Sequence, residues 1–69
     1  MEGNIQLDWK ALVKEAIRRR KSEKITQKQL AMLAGVSGPT VTRFERQEEN
    51  ITLKSALAIL KMLGLTKRE

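Results

Sequence analysis

The chemistry open to this chain is set first by where its charges stand. Between Lys10 and Lys28 lie eight basic residues (Lys10, Lys14, Arg18, Arg19, Arg20, Lys21, Lys24, Lys28) and two acidic ones, Glu15 and Glu23. That stretch accounts for the whole formal charge of +6, and the remainder of the 69 residues is neutral. A basic patch of this density draws polyanions, nucleic acid first and an anionic membrane second. A solvated helix face is the plainer alternative, and charge alone does not separate the two. Covalent and acid–base chemistry has little to work with. There is no His and no Cys, so Ser37 and Ser55 lack the base that a nucleophilic hydroxyl needs. No lysine or carboxylate constellation takes their place, and a metal site would have to be built from carboxylates alone. The chain therefore reads as a non-enzyme without a cofactor.

Size bounds the rest. Residues 1–69 read as one domain, with a core that is marginal at this length and no disulfide to reinforce it. Stability must come from well-packed helices or from a partner subunit. Absence of cysteine fits a reducing compartment, and the expected location is cytoplasmic, with the nucleoid. No apolar run approaches the ~20 residues that cross a membrane. The first residues, MEGNIQLD, are acidic and lack the apolar run of a signal peptide. "WKALVKEAIRRRK" is basic and amphipathic, as membrane-surface helices are. So small a core needs its apolar face, however, and no membrane partner is expected. RNA stacking platforms need aromatics; Trp9 and Phe44 are the only two, and both read as core.

The elements that position these groups are helical nearly throughout. Trp9, Leu12, Val13, Ala16 and Ile17 recur at helical steps, with Asp8 as cap and Leu7 and Leu12 spaced as a hydrophobic staple. This first helix should dissolve near Lys21 to Lys24. Thr26 and Gln29 form a capping box for a second helix, with Ile25 and Leu30 at staple positions. Leu30, Ala31, Leu33 and Ala34 supply its buried side, and Gly35 ends it. Ser37 caps a third helix, with Pro39 in the first turn, where a missing N–H costs little. Val41 and Phe44 point one way; Gly38, Pro39, Thr42, Arg43 and Arg46 point the other. Thr52 caps a fourth helix whose stripe is Leu53, Ala56, Leu57, Leu60 and Leu63, with Ile59 on the flank and Gly64 at the end.

Two helices joined by so short a turn must cross steeply. Ala31 is small enough for the close crossing, Gly35 makes the turn, Val36 plugs the gap beneath it, and Val41 and Phe44 hold the third helix to the core. The outer face of that helix then stands proud, wide enough to fill a major groove. Gln27, Leu30, Ala31, Gly35, Val36, Val41, Phe44 and Glu45 fall where the Cro/repressor-type (XRE) helix-turn-helix family places its characteristic residues. This resemblance runs from about Leu12 to Leu65. It implies an all-α, compact four- to five-helix bundle of the lambda-repressor-like type. The motif spans about 26–46, and the recognition helix is about 38–46. It further implies a transcriptional regulator, a repressor by expectation, that binds double-stranded operator DNA as a homodimer.

The resemblance carries roles onto single residues. Gln27 matches the family's phosphate-contacting Gln, or else merely fills the first position of its helix; Lys28 beside it would meet the backbone. Ser37 and Thr40 add phosphate contacts, unless Ser37 only caps. Arg43 stands at a base-reading position, where it pairs with a guanine edge or, equally, a phosphate. Thr42 meets a thymine methyl, a phosphate or solvent. Gly38, Pro39 and Arg46 complete the helix face, and Asn50 offers a donor from the following loop. Arg20 and Glu45 occupy positions that pair in many relatives, which implies a structural ion pair. There are departures. Gly38 and Pro39 replace polar side chains, leaving either shape readout or close backbone approach. Glu48 and Glu49 stand where basic residues are common, and Lys24 where Gly is common. "FERQEENITLKSALAILKMLGL" further resembles the matching segment of HipB-type antitoxins. That likeness implies an alternative: a protein-interaction module with a toxin-like partner and DNA binding secondary. A dimer contact around Leu63 and Leu65 is a further expectation.

Overall fold

A computed structural model describes residues 8–66. Its helices are α1 (Trp9–Ser22), α2 (Gln27–Ala34), α3 (Gly38–Glu45) and α4 (Leu53–Met62), and the described residues contain no strand. The fold is all-α. Each helix starts on a short polar side chain that accepts a backbone N–H left over in the first turn. Asp8 accepts from Ala11 at 3.0 Å, Ser37 from Thr40 at 3.2 Å and Thr52 from Ser55 at 3.1 Å. At Thr26 the capping box is complete: Gln29 N–H donates to Thr26 Oγ1 and Thr26 N–H to Gln29 Oε1. The staple partner Leu7 lies outside the described residues.

The helices also end alike. After each one a residue takes left-handed φ: Lys24 (60°), Gly35 (75°), Gln47 (65°) and Gly64 (72°). The next residue's N–H then reaches back five positions. These bonds are Ile25 to Arg20 O (3.3 Å), Val36 to Ala31 O (3.0 Å), Glu48 to Arg43 O (3.1 Å) and Leu65 to Leu60 O (2.9 Å). This is the Schellman geometry, which satisfies carbonyls a helix end would otherwise orphan. It turns the chain sharply four times, so four short helices wrap one core. The sequence announces the two glycine ends; Lys24 and Gln47 adopt the same conformation against the Cβ clash that glycine avoids.

The core is Val13, Ala16, Leu30, Ala31, Val41, Phe44, Ala56, Ile59, Leu60 and Leu63, all buried. Trp9 meets Phe44 edge to face, with ring centroids 5.6 Å apart at 90°, the orientation that ring quadrupoles favour. Three expectations need correction. Leu53 and Leu57 are exposed, at 71% and 46%, and Ile59 is fully buried. The inward face of α4 is therefore rotated toward Ile59, because Ala56, Ile59, Leu60 and Leu63 make the narrower stripe on a 3.6-residue helix. Leu33 of α2 is 56% exposed rather than part of the core. Leu63 is buried, so it is not available as a dimer contact.

The helix ends make a paired prediction. Gly35→Ala places a methyl in open space, so its cost is the backbone term alone, about 1–2 kcal/mol for a left-handed residue. Lys24→Gly removes that same strain and should gain about 0.5–1 kcal/mol. In thermal melts the two variants should move Tm in opposite directions, by roughly 4–8 °C per kcal/mol at this size. Equal or same-sign shifts would mean that the helix ends do not control stability in this way.

Candidate nucleic-acid interface

α3 is held by one side and offers the other. Val41 and Phe44 are fully buried, while Pro39 and Arg46 are exposed and Thr42 and Arg43 half-buried on the far side. Its N-terminus follows the left-handed turn at Gly35, so α2 and α3 are joined by three residues, Gly35 to Ser37. Gly38 does not have positive φ, and a Cβ built there meets nothing within 4 Å. The fold does not require glycine at that position.

A polar cluster ties α3 to both helices beside it. Arg20 of α1 donates from Nε to Glu45 Oε2 at 2.7 Å and from Nη2 to Glu45 Oε1 at 3.2 Å. Its third bond, Nη1 to Ile25 O at 2.9 Å, braces the turn after α1. Gln27, the first residue of α2, donates from Nε2 to Glu45 Oε1 at 2.8 Å and accepts from Thr42 Oγ1 at 3.1 Å. The ion pair is largely shielded, its side chains 12% and 8% exposed. Bidentate geometry and the further hydrogen bonds compensate the desolvation that two such charges suffer.

Of the residues that the sequence points to, Arg20, Gln27, Thr42 and Glu45 come together in this cluster. The Thr42 hydroxyl also lies 3.3 Å from Gly38 O, so its proton is spent within the protein. Gln27 Nε2 keeps a second hydrogen, because an amide nitrogen carries two donors. Ser37 caps α3, and its hydroxyl meets Thr40 Oγ1 at 2.7 Å. Lys28 and Asn50 are exposed. Arg46 leans toward Glu48, at 3.8 Å and with 70% of its side chain exposed, a contact of small energetic weight. Arg43 differs from all of these. Its Nε is buried and has no hydrogen-bond partner among the described residues, in a class of atom that folded proteins nearly always satisfy.

The basic run in α1 divides into two groups, which charge counting alone does not distinguish. Arg20 serves the cluster. Arg19 donates from Nη1 to Leu63 O at 3.1 Å and so secures the end of α4. Arg18 is hydrogen-bonded to Glu15, which holds the Glu15 carboxyl below its ordinary value and keeps it ionised. Lys10, Lys14, Lys21 and Lys24 are exposed and carry the rest of the positive field. The Arg19 bond left no mark on the sequence, since its acceptor is a main-chain carbonyl 44 positions away.

Removing one member of the shielded pair should be costly. Arg20→Ala or Glu45→Ala strands the other charge, and each should lower unfolding free energy by about 3–5 kcal/mol in urea titrations. An apolar double variant, Arg20→Met with Glu45→Leu, should recover much of that loss. Single variants within 1 kcal/mol of the parent would show that the pair is effectively solvated.

Comparison with known proteins agrees with this geometry. A family model described as helix-turn-helix matches residues 17–69, which takes in the last turns of α1 and all of α2, α3 and α4. A protein of Haemophilus influenzae named an uncharacterized HTH-type transcriptional regulator is 40% identical over 65 residues. The match covers 94% of this chain and 63% of that relative, so the chain spans less than two thirds of the relative's length. A three-residue α2–α3 connection, the left-handed turn at Gly35 and a family match across both helices leave one assignment: the chain belongs to the helix-turn-helix family.

Proposed function

We propose that this chain is a double-stranded-DNA-binding transcriptional regulator that seats α3 in the major groove. The observation that carries this reading is the pose of α3: Val41 and Phe44 are fully buried on its inner side, and the half-buried Arg43, with Thr42 and the exposed Pro39 and Arg46, lies on the side turned away from the core. The terminal nitrogens of a guanidinium pair with a guanine edge, which offers two acceptors. Gln27 and Lys28 at the start of α2 meet the flanking phosphates, where unpaired helix N–H groups also favour an anion. Lys10, Lys14, Lys21 and Lys24 add long-range attraction. Ser37, Thr40, Arg46 and Asn50 are further backbone contacts. Thr42 contributes through its methyl, because its hydroxyl is engaged by Gln27.

Gly38 and Pro39 present no side-chain donors at the tip of α3, so the main chain itself can come close to the bases. Nothing in the fold demands glycine at Gly38, which favours a reason on the DNA side. The finer parts of the reading are a repressor acting as a homodimer on two half-sites about one helical turn apart.

The test is a set of variants titrated with a duplex site and a scrambled duplex over a salt series. Arg43→Ala should lose about 1–3 kcal/mol on the site and little on scrambled DNA. Lys28→Ala should weaken both alike and make the salt slope shallower by about one unit. Gly38→Ala should keep its Tm yet bind the site at least several-fold more weakly. Parent-like binding by all three would remove α3 from the interface.

A further inference from the structure

Among the described residues, the five large exposed hydrophobic side chains (Met32, Leu33, Leu53, Leu57 and Met62) all stand on α2 or α4. Three of them, Leu33, Leu57 and Met62, line an open groove of about 520 Å³ between these helices. An apolar groove on so small a domain is costly to leave in water. Two cations, Lys54 and Lys61, flank it from α4, and no carboxylate is among its lining residues. Neither lysine has a salt-bridge partner among the described residues. They are seven positions apart on one helix, about two turns or 10.5 Å along the axis.

We propose that this groove docks an acidic amphipathic helix of a partner protein. The apolar floor takes side chains at positions i, i+3 or i+4 and i+7 of the incoming helix, the usual spacing of helix-in-groove recognition. Lys54 and Lys61 pair with carboxylates two turns apart along its edges. The charge pattern selects this occupant over a second copy of the chain. A symmetric contact through the groove would set the lysines of both copies against one another, with no acid in the lining to offset them. DNA is excluded by the apolar floor. None of the groove residues belongs to the proposed DNA contacts, so the two surfaces can be tested separately.

The probe is a synthetic amphipathic peptide of about four to five helical turns, with leucines at that spacing and glutamates on both flanks. Its partner control carries lysine at every glutamate position. Binding to the 69-residue chain is read by fluorescence anisotropy. The acidic peptide should saturate at micromolar concentrations and bind at least tenfold more tightly than the basic one. Lys54→Glu with Lys61→Glu should reverse that preference, and Leu57→Ser should weaken both peptides. All three positions are exposed, and unchanged thermal melts confirm that the variants fold. Equal binding of the two peptides, or none up to about 1 mM, would overturn the proposal. So would sedimentation showing a dimer that Leu57→Ser dissolves, or attachment to anionic vesicles that the acidic peptide does not displace.

Discussion

The fold and the proposed reading face both depend on Glu45. Its carboxylate accepts from α1, through Arg20, and from α2, through Gln27. A helix of eight residues such as α3 has little stability of its own. Apolar packing through Val41 and Phe44 fixes which side faces inward, but apolar contact is tolerant of small rotations and slides. Directional bonds from two neighbouring helices are not. The cluster therefore sets the rotation of α3 about its own axis, and with it the direction in which Arg43 is presented. Because Gln27 belongs both to this cluster and to the proposed phosphate contacts, a contact at the start of α2 is coupled to the pose of α3.

The second constraint is the economy of the turns. Three Schellman ends join the four helices with few connecting residues, and a fourth closes α4. Short connections suit a chain whose core holds ten buried side chains, since every loop residue added would cost ordering entropy without burying apolar surface. Arg19, anchored on Leu63 O, holds the last of these ends against the first helix. Three consecutive arginines thus divide their work. Arg18 pairs locally with Glu15, Arg19 ties α1 to α4, and Arg20 ties α1 to α3. What reads in the sequence as one basic patch is, in the fold, partly internal scaffolding.

Caps and glycine ends were legible because they are local: Asp8, Thr26 with Gln29, Ser37, Thr52, Gly35 and Gly64 each act within a few residues of themselves. The burial of Val41 and Phe44, and so the outward face of α3, followed from helical period. Leu33, Leu53 and Leu57 are exposed against their hydropathy for a physical reason. Hydropathy marks a leucine as able to be buried, whereas the packing of neighbouring helices decides whether it is, and α4 turns Ile59 inward in their place. The pairing of Gln27 with Glu45 and Thr42 was hidden as well, since an amide at a helix start has no local mark of a partner 18 positions on. Resemblance supplied the pairing of Arg20 and Glu45, which no spacing rule yields.

The reading proposed for α3 is that its outer face reads base sequence rather than merely adding charge. Selection from a pool of random duplex DNA, followed by titration of the recovered and scrambled sites, tests it most directly. The expected result is an enriched palindromic motif bound at least about tenfold more tightly than scrambled DNA at physiological salt. Recovery of no motif, with weak binding that falls steeply as salt rises, would contradict it and leave only the positive field of α1 at work.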